Sequence, residues 1–223
     1  MKTCGIVVAA GTGERMGSDK PKALVQLAGK PIVEYSVRAM AETDLFSHIV
    51  VAAPRGYESE ILDVLGAIQV DITITTGGDT RSDSVRTCLR KIIPDCEIVA
   101  IHDGARPLIT KDYITRVVES ASEYGAAVLA TSVTDTLKEA EEGFITRTIS
   151  RKKLWAVQTP QVFERKIIER AYQKAPADLT FTDDCALVER IGIPIKIVRG
   201  SRTNIKITFP EDIAIASAIL ENR

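Results

Sequence analysis

Short apolar runs alternate with longer amphipathic stretches along most of the chain. Runs of strand length fall at Gly5 to Ala9, His48 to Ala53, Asp71 to Thr75, Glu97 to His102, Ala126 to Thr131 and Ile195 to Val198. Segments such as "IVVAA" and "EIVAIH" are apolar almost without a break, the pattern of strands covered on both faces in a parallel sheet. Between them, hydrophobic residues return at helical spacing over Val33 to Glu42, Glu58 to Leu65, Ser82 to Ile92, Lys111 to Tyr124, Glu164 to Lys174 and Asp183 to Ile191. A last helix is predicted from about Pro210 to Glu221, with the proline suited to a first turn. Strand and helix in regular turn predict an α/β fold, doubly wound around a mostly parallel, Rossmann-like sheet. In such sheets ligands bind beyond the carboxyl ends of the strands, so the loops that follow strands should carry the chemistry.

One segment departs from this rhythm. Thr134 to Phe163, "TDTLKEAEEGFITRTISRKKLWAVQTPQVF", has a polar tip at Glu141-Glu142-Gly143 between two alternating stretches and reads as a long, protruding β-hairpin arm. Leu137, Phe144, Ile149 and Trp155 give it more apolar surface than an isolated ribbon can expose to water. It must therefore fold back on its own domain or pack on a partner chain. The expected organisation is a single domain over 1–223 with the arm at about 134–158.

Composition narrows the partners. With 29 Lys and Arg against 30 Asp and Glu, the net charge of -1 excludes a general attraction for nucleic acid or anionic membrane, so a charged ligand must be met by a local cluster. Cys4, Cys88, Cys96 and Cys185 form no C-x-x-C pair, and no Cys or His cluster has metal-ligand spacing, so no protein metal site is predicted. Free thiols, a start without a signal-type segment and no apolar run of membrane-spanning length predict a cytoplasmic protein.

Four loops after strands carry candidate chemistry. The first, "AAGTGERMGSDKPK", spaces Gly11, Gly13 and Gly17 as G-x-G-x-x-x-G, which matches neither the dinucleotide fingerprint nor the P-loop. Ala53-Pro54 stands where a dinucleotide site needs an acidic residue after the second strand. What remains is a glycine turn with exposed backbone N–H groups and the charges of Arg15 and Lys22, a cradle for a polyphosphate. The second, "TTGGDTRSDS", has Gly77-Gly78 for close approach to a flat group, Ser82 or Ser84 as a helix cap, and Arg81 whose fork suits phosphate. In the third, "IHDGARP", Asp103 can accept from sugar hydroxyls and Arg106 can grip a phosphate, while His102 reads as a hydrogen-bonded structural residue. In the fourth, "RTNIKITFPED", Lys206 lies opposite Ile205, Ile207 and Phe209 and by pattern alone is an ordinary solvated lysine.

Together the motifs "AAGTGERM" with "PK", "GGDTRSDSV", "HDGARP", "DTLK", "LWAVQTPQVF", "TDD" and "NIKIT" resemble, in order and spacing from Ala9 to Thr208, the 2-C-methyl-D-erythritol 4-phosphate cytidylyltransferases of non-mevalonate isoprenoid synthesis. The resemblance implies transfer of CMP from CTP to methylerythritol phosphate with release of pyrophosphate and with Mg²⁺ held mainly by the CTP phosphates. It implies that Ala9, Ala10, Gly11 and Gly13 bind CTP, that Arg15 and Lys22 stabilise the transferring phosphoryl group, and that Gly78, Asp79 and Ser84 recognise the base. Asp103 and Ala105 would lie by the ribose and substrate, Arg106 at the methylerythritol phosphate, and Lys206 would bridge both ligands. Thr136, Arg151, Thr159 and Thr182 match further substrate contacts. The arm would cross to a partner subunit, so that Arg151 acts in trans in a homodimer. Ser150 stands before Arg151 where the family usually has Asp, which removes a local orienting carboxylate. A ribitol 5-phosphate cytidylyltransferase, which shares CTP and most of these loops, and a noncatalytic CTP sensor are the competing readings.

Overall fold

The computed structural model describes residues 1–17, 20–176, 181 and 183–223. In chain order β1 (Thr3–Val8) leads to a small ribbon, β2 (Gln26–Leu27) with β3 (Lys30–Pro31), and then to α1 (Ile32–Ala41), β4 (Phe46–Ala53), α2 (Glu58–Leu65) and β5 (Ile72–Thr76). Next come α3 (Arg81–Leu89), β6 (Ile98–Asp103), α4 (Lys111–Tyr124) and β7 (Ala126–Ser132). After the ribbon β8 (Leu137–Glu141) and β9 (Phe144–Ile149), the chain returns through β10 (Trp155–Glu164), α5 (Arg165–Lys174), α6 (Asp184–Arg190), β11 (Lys196–Arg199) and α7 (Glu211–Glu221).

Seven strands form one sheet in the order β11-β7-β10-β6-β1-β4-β5. All neighbours run parallel except β10, which is antiparallel to both β6 and β7. The near-continuous apolar runs are explained by two hydrophobic layers, one on each face. Alternate residues Val7, Ile49, Val51 and Ala100 pack with α1, α2 and α4, whereas Ile6, Val50, Val99 and Ile101 pack with α3, α5 and α6. Each fully buried Val or Ile side chain among them contributes about 1.5–3 kcal/mol. A third cluster, with Leu27, Ile32, Leu108, Ile207 and Ala216, seats α7 against the small ribbon.

Two expectations about the return segment need correction. The stretch ending at Phe163 is not the second side of the hairpin, since Trp155 to Glu164 enters the main sheet between β6 and β7. The arm is therefore the shorter pair β8 and β9, turned by Glu142 and Gly143, and Trp155 to Val157 within the expected 134–158 boundary pair with Ala130 to Ser132. Alternation alone could not separate a half-buried arm strand from a central strand whose first residues are exposed. The cap of α3 also differs: Thr80, not Ser82 or Ser84, accepts from the Asp83 N–H.

From β1 the chain winds outward to β4 and β5, then returns to β6 on the other side of β1. The crevice beyond the carboxyl ends of β1 and β6 is thus the topological switch point, where a ligand site is expected.

Candidate active site

A cavity of about 710 Å³ opens at this switch point, within the usual range for small-molecule sites. Ala9, Ala10 and Gly11 after β1 form one wall, Gly78, Asp79 and Ser84 another, and Asp103 with Ala105 line it after β6. These two walls meet closely: a Cβ on Gly77 would lie 2.1 Å from the Ala10 Cβ, so only glycine lets the loops approach. Ser84 is buried, and its hydroxyl accepts from the Gly78 N–H at 3.1 Å and donates to the Thr80 carbonyl at 3.0 Å. It shapes the glycine turn while bordering the cavity.

Lys22 and Lys206 add positive charge to the same cavity. Burial holds the Lys22 ammonium below its usual pKa, and Lys206 and Arg15 push it the same way. An anion placed between these cations relieves both the repulsion and the desolvation. Lys206 lies in the loop between β11 and α7, which is fixed by an Ile207 N–H donating to the Ala105 carbonyl at 2.8 Å. Its Nζ sits 2.7 Å from Asp103 Oδ2. Far from being merely solvated, it is placed against the central carboxylate of the site.

A second cavity of about 250 Å³ shares Arg81, Asp103 and Lys206 with the first and is bordered further by Arg106, Gln158 and Thr159. Asp103 therefore stands at the boundary. Burial alone would raise its pKa, yet Arg81 and Lys206 more than offset this and hold it below the ordinary carboxylate range. Arg81 does not present its whole fork to a ligand. Its Nε donates to Asp103 Oδ1 at 3.0 Å and its Nη1 to Asp184 Oδ2 at 2.7 Å, leaving a buried Nη2 without a protein partner. Asp184 also accepts from the Tyr172 hydroxyl at 2.6 Å, and Gln161 Oε1 accepts from the Asp184 and Cys185 N–H groups. This network through Gln161, Tyr172 and Asp184 was invisible at the level of single residues. Its traces in the pattern were the adjacent acids of "TDD" and Gln161 within "LWAVQTPQVF".

The remaining expected residues fall into four groups. Gly13 and Arg15 border neither cavity, and the Arg15 guanidinium lies 5.6 Å from the centre of the Phe209 ring, a cation–π distance. Thr136 and Arg151 are exposed on the arm side and border neither cavity. Thr182 lies outside the described residues. Thr159 borders the second cavity, but its hydroxyl is taken up by the Asp103 N–H and His102 Nδ1, both at 3.0 Å.

The family model for 2-C-methyl-D-erythritol 4-phosphate cytidylyltransferase matches residues 3–222. An enzyme of that name from Pelotomaculum thermopropionicum is 44% identical over 228 residues, which span 100% of this chain and 95% of the relative. Another from Alkaliphilus oremlandii is 42% identical over 228 residues, spanning 100% and 96%. The crystal structure of 4-diphosphocytidyl-2C-methyl-D-erythritol synthase from Anaerococcus prevotii superposes with a TM-score of 0.88 at 28% identity, over 99% of this chain and 96% of that one. A match along nearly the whole sequence, on the same fold, has one consequence: the chain belongs to the 2-C-methyl-D-erythritol 4-phosphate cytidylyltransferase family.

Proposed function

We propose that the family's cytidylyl transfer, in non-mevalonate isoprenoid synthesis, runs across the boundary between the two cavities of this chain. CTP occupies the larger one, with its base at Gly78, Asp79 and Ser84 and its phosphates along Ala9, Ala10, Gly11 and Lys22. Methylerythritol phosphate occupies the smaller one, with its phosphate at Arg106. The observation that carries this reading is the Lys206–Asp103 pair at 2.7 Å on the shared wall. It sets a cation where two anionic ligands must meet.

The chemistry asks little of the protein in proton transfer. A phosphate oxygen of the acceptor, already anionic near neutral pH, attacks the α-phosphorus of CTP; a new P–O bond forms and the bond to the β-phosphate breaks, with pyrophosphate leaving. No general base is required, so a site rich in Lys and Arg suits the task better than one built on His. Lys22 and Lys206 neutralise charge growing in the transition state. Arg15 joins them by leaving Phe209, a contact of about 0.5–1 kcal/mol at an exposed site. Asp103 accepts from hydroxyls with the lone pairs that Arg81 and Lys206 leave open. Ala105 lines the ribose side, and Thr159 borders the acceptor.

Among the described residues no group of three or more His, Cys, Asp or Glu side chains could hold a metal ion, and Asp103 is already shared by two cations. This donor set fits Mg²⁺ held chiefly by the CTP phosphates and water, with Glu14 and Asp79 the other carboxylates of the cavity. When bound, the ion would offset phosphate charge.

The arm leaves Phe144 78% and Ile145 66% exposed. A homodimer in which the arm packs on a second copy would cover them, and would carry Thr136 and Arg151 to the partner's acceptor cavity. Four buried, unpaired thiols support a cytoplasmic setting. No helix is long and apolar enough to cross a membrane among the described residues.

Pyrophosphate release tests the function directly. With CTP and Mg²⁺, methylerythritol phosphate should be turned over and ribitol 5-phosphate should not. Preferential use of ribitol 5-phosphate would reverse the acceptor assignment, and tight CTP binding without turnover would make the chain a sensor.

A further inference from the structure

His102 is fully buried at the end of β6, one residue before Asp103, and the reaction needs no base from it. Its two ring nitrogens nevertheless have different partners. Nε2 lies 3.2 Å from the Arg106 carbonyl and Nδ1 lies 3.0 Å from Thr159 Oγ1. A carbonyl oxygen has no proton to give, so Nε2 must carry the hydrogen. Burial keeps the ring from taking a second proton, lowering its pKa to about 4. Nδ1 is then bare and can only accept. The Thr159 hydroxyl therefore donates to it, and the same oxygen accepts from the Asp103 N–H at 3.0 Å. Every proton in this chain has one permitted place.

The chain closes on itself. The Thr159 carbonyl accepts from Asn204 Nδ2 at 3.1 Å, and the Asn204 carbonyl accepts from Arg106 Nη1 at 2.7 Å. Arg106 is thus gripped at its own carbonyl by His102 and at its guanidinium through Thr159 and Asn204. Its buried Nε has no protein partner, and the residue borders the smaller cavity. The ring joins three segments that contribute to that cavity: the turn after β6, the middle of β10 and the loop that carries Lys206.

We propose that His102, held as the Nε2–H tautomer, is a positioning residue for the acceptor cavity, orienting Thr159 and fixing both ends of Arg106 without touching either substrate. The inference rests on the smaller cavity being the acceptor site. A residue that served only stability would affect both substrates alike, whereas this one should act on the sugar phosphate and spare CTP.

Two measurements test it together. Long-range ¹H–¹⁵N correlation spectra of the wild type read the tautomer directly; the chain has 2 histidines, and His48→Gln assigns them. The expected result is protonated Nε2 and bare Nδ1 near neutral pH. Steady-state kinetics of His102→Ala, His102→Asn and His102→Gln form the second. Asn can accept from Thr159 and Gln can reach the Arg106 carbonyl, so each restores half of the bridge that Ala removes. His102→Ala should lower kcat/KM for methylerythritol phosphate by roughly ten- to a hundredfold, mainly through KM, with Asn and Gln between it and wild type and the KM for CTP unchanged. A proton on Nδ1, an imidazolium at neutral pH, or KM for CTP rising in step would overturn the inference. The spectra need no variant of His102, so a proton on Nδ1 overturns the inference even if the alanine protein fails to fold, and His102→Asn and His102→Gln then carry the kinetic test. A wild type that keeps this tautomer yet does not use methylerythritol phosphate contradicts the proposed function and, with it, the inference; turnover with the proton on Nδ1 contradicts the inference alone.

Discussion

Lys206 shows how far residue-level reading reaches. Pattern places it opposite an apolar face of Ile205, Ile207 and Phe209, of which Ile207 is fully buried, Ile205 half-buried and Phe209 exposed. Pattern cannot place it against Asp103, because that contact joins residues far apart in the chain and depends on the loop being pinned to Ala105. Arg81 shows the converse: its type suggested a ligand fork, yet two carboxylates occupy most of it. Lys22 and Lys206 are each held close to like charge or partly out of water, so losing either should be felt in turnover more than in folding. Lys22→Ala and Lys206→Ala should each lower kcat by roughly two to three powers of ten, as for other groups aimed at developing charge, with thermal midpoints near that of wild type. Turnover close to wild type in either variant would remove that lysine from the mechanism.

Elements were legible where period and burial agreed. The strands with two covered faces and the helices α2 and α4 coincide with the apolar pattern because tertiary packing demands the same residues that mark them. The segment after β7 was misread because β10 starts exposed at Trp155 and ends buried at Phe163, so one strand carries both an arm-like and a core-like pattern. What survives is a short two-stranded arm too apolar to stand alone in water. If it serves a second copy, mixing Lys22→Ala with Arg151→Ala protein should restore part of the activity, since one site of each heterodimer would draw intact residues from both chains. Verified subunit exchange with no recovered turnover would return Arg151 to its own subunit's site.

At the scale of the whole molecule, a doubly wound sheet places its cleft where the winding reverses, and the loops after β1 and β6 converge there. That location follows from strand order and could be expected from the alternation of elements. The division of the cleft into two cavities could not, because it depends on Asp103 being fastened from three directions by Arg81, Lys206 and the Thr159 hydroxyl. The central claim is that the cavities hold different substrates, and the KM values of Arg106→Ala for each substrate test it most directly. The account predicts a KM for methylerythritol phosphate raised by roughly ten- to a hundredfold, in line with losing a charge-assisted hydrogen bond of about 1.5–3 kcal/mol, and an unchanged KM for CTP; a raised KM for CTP with normal affinity for the sugar phosphate would contradict it.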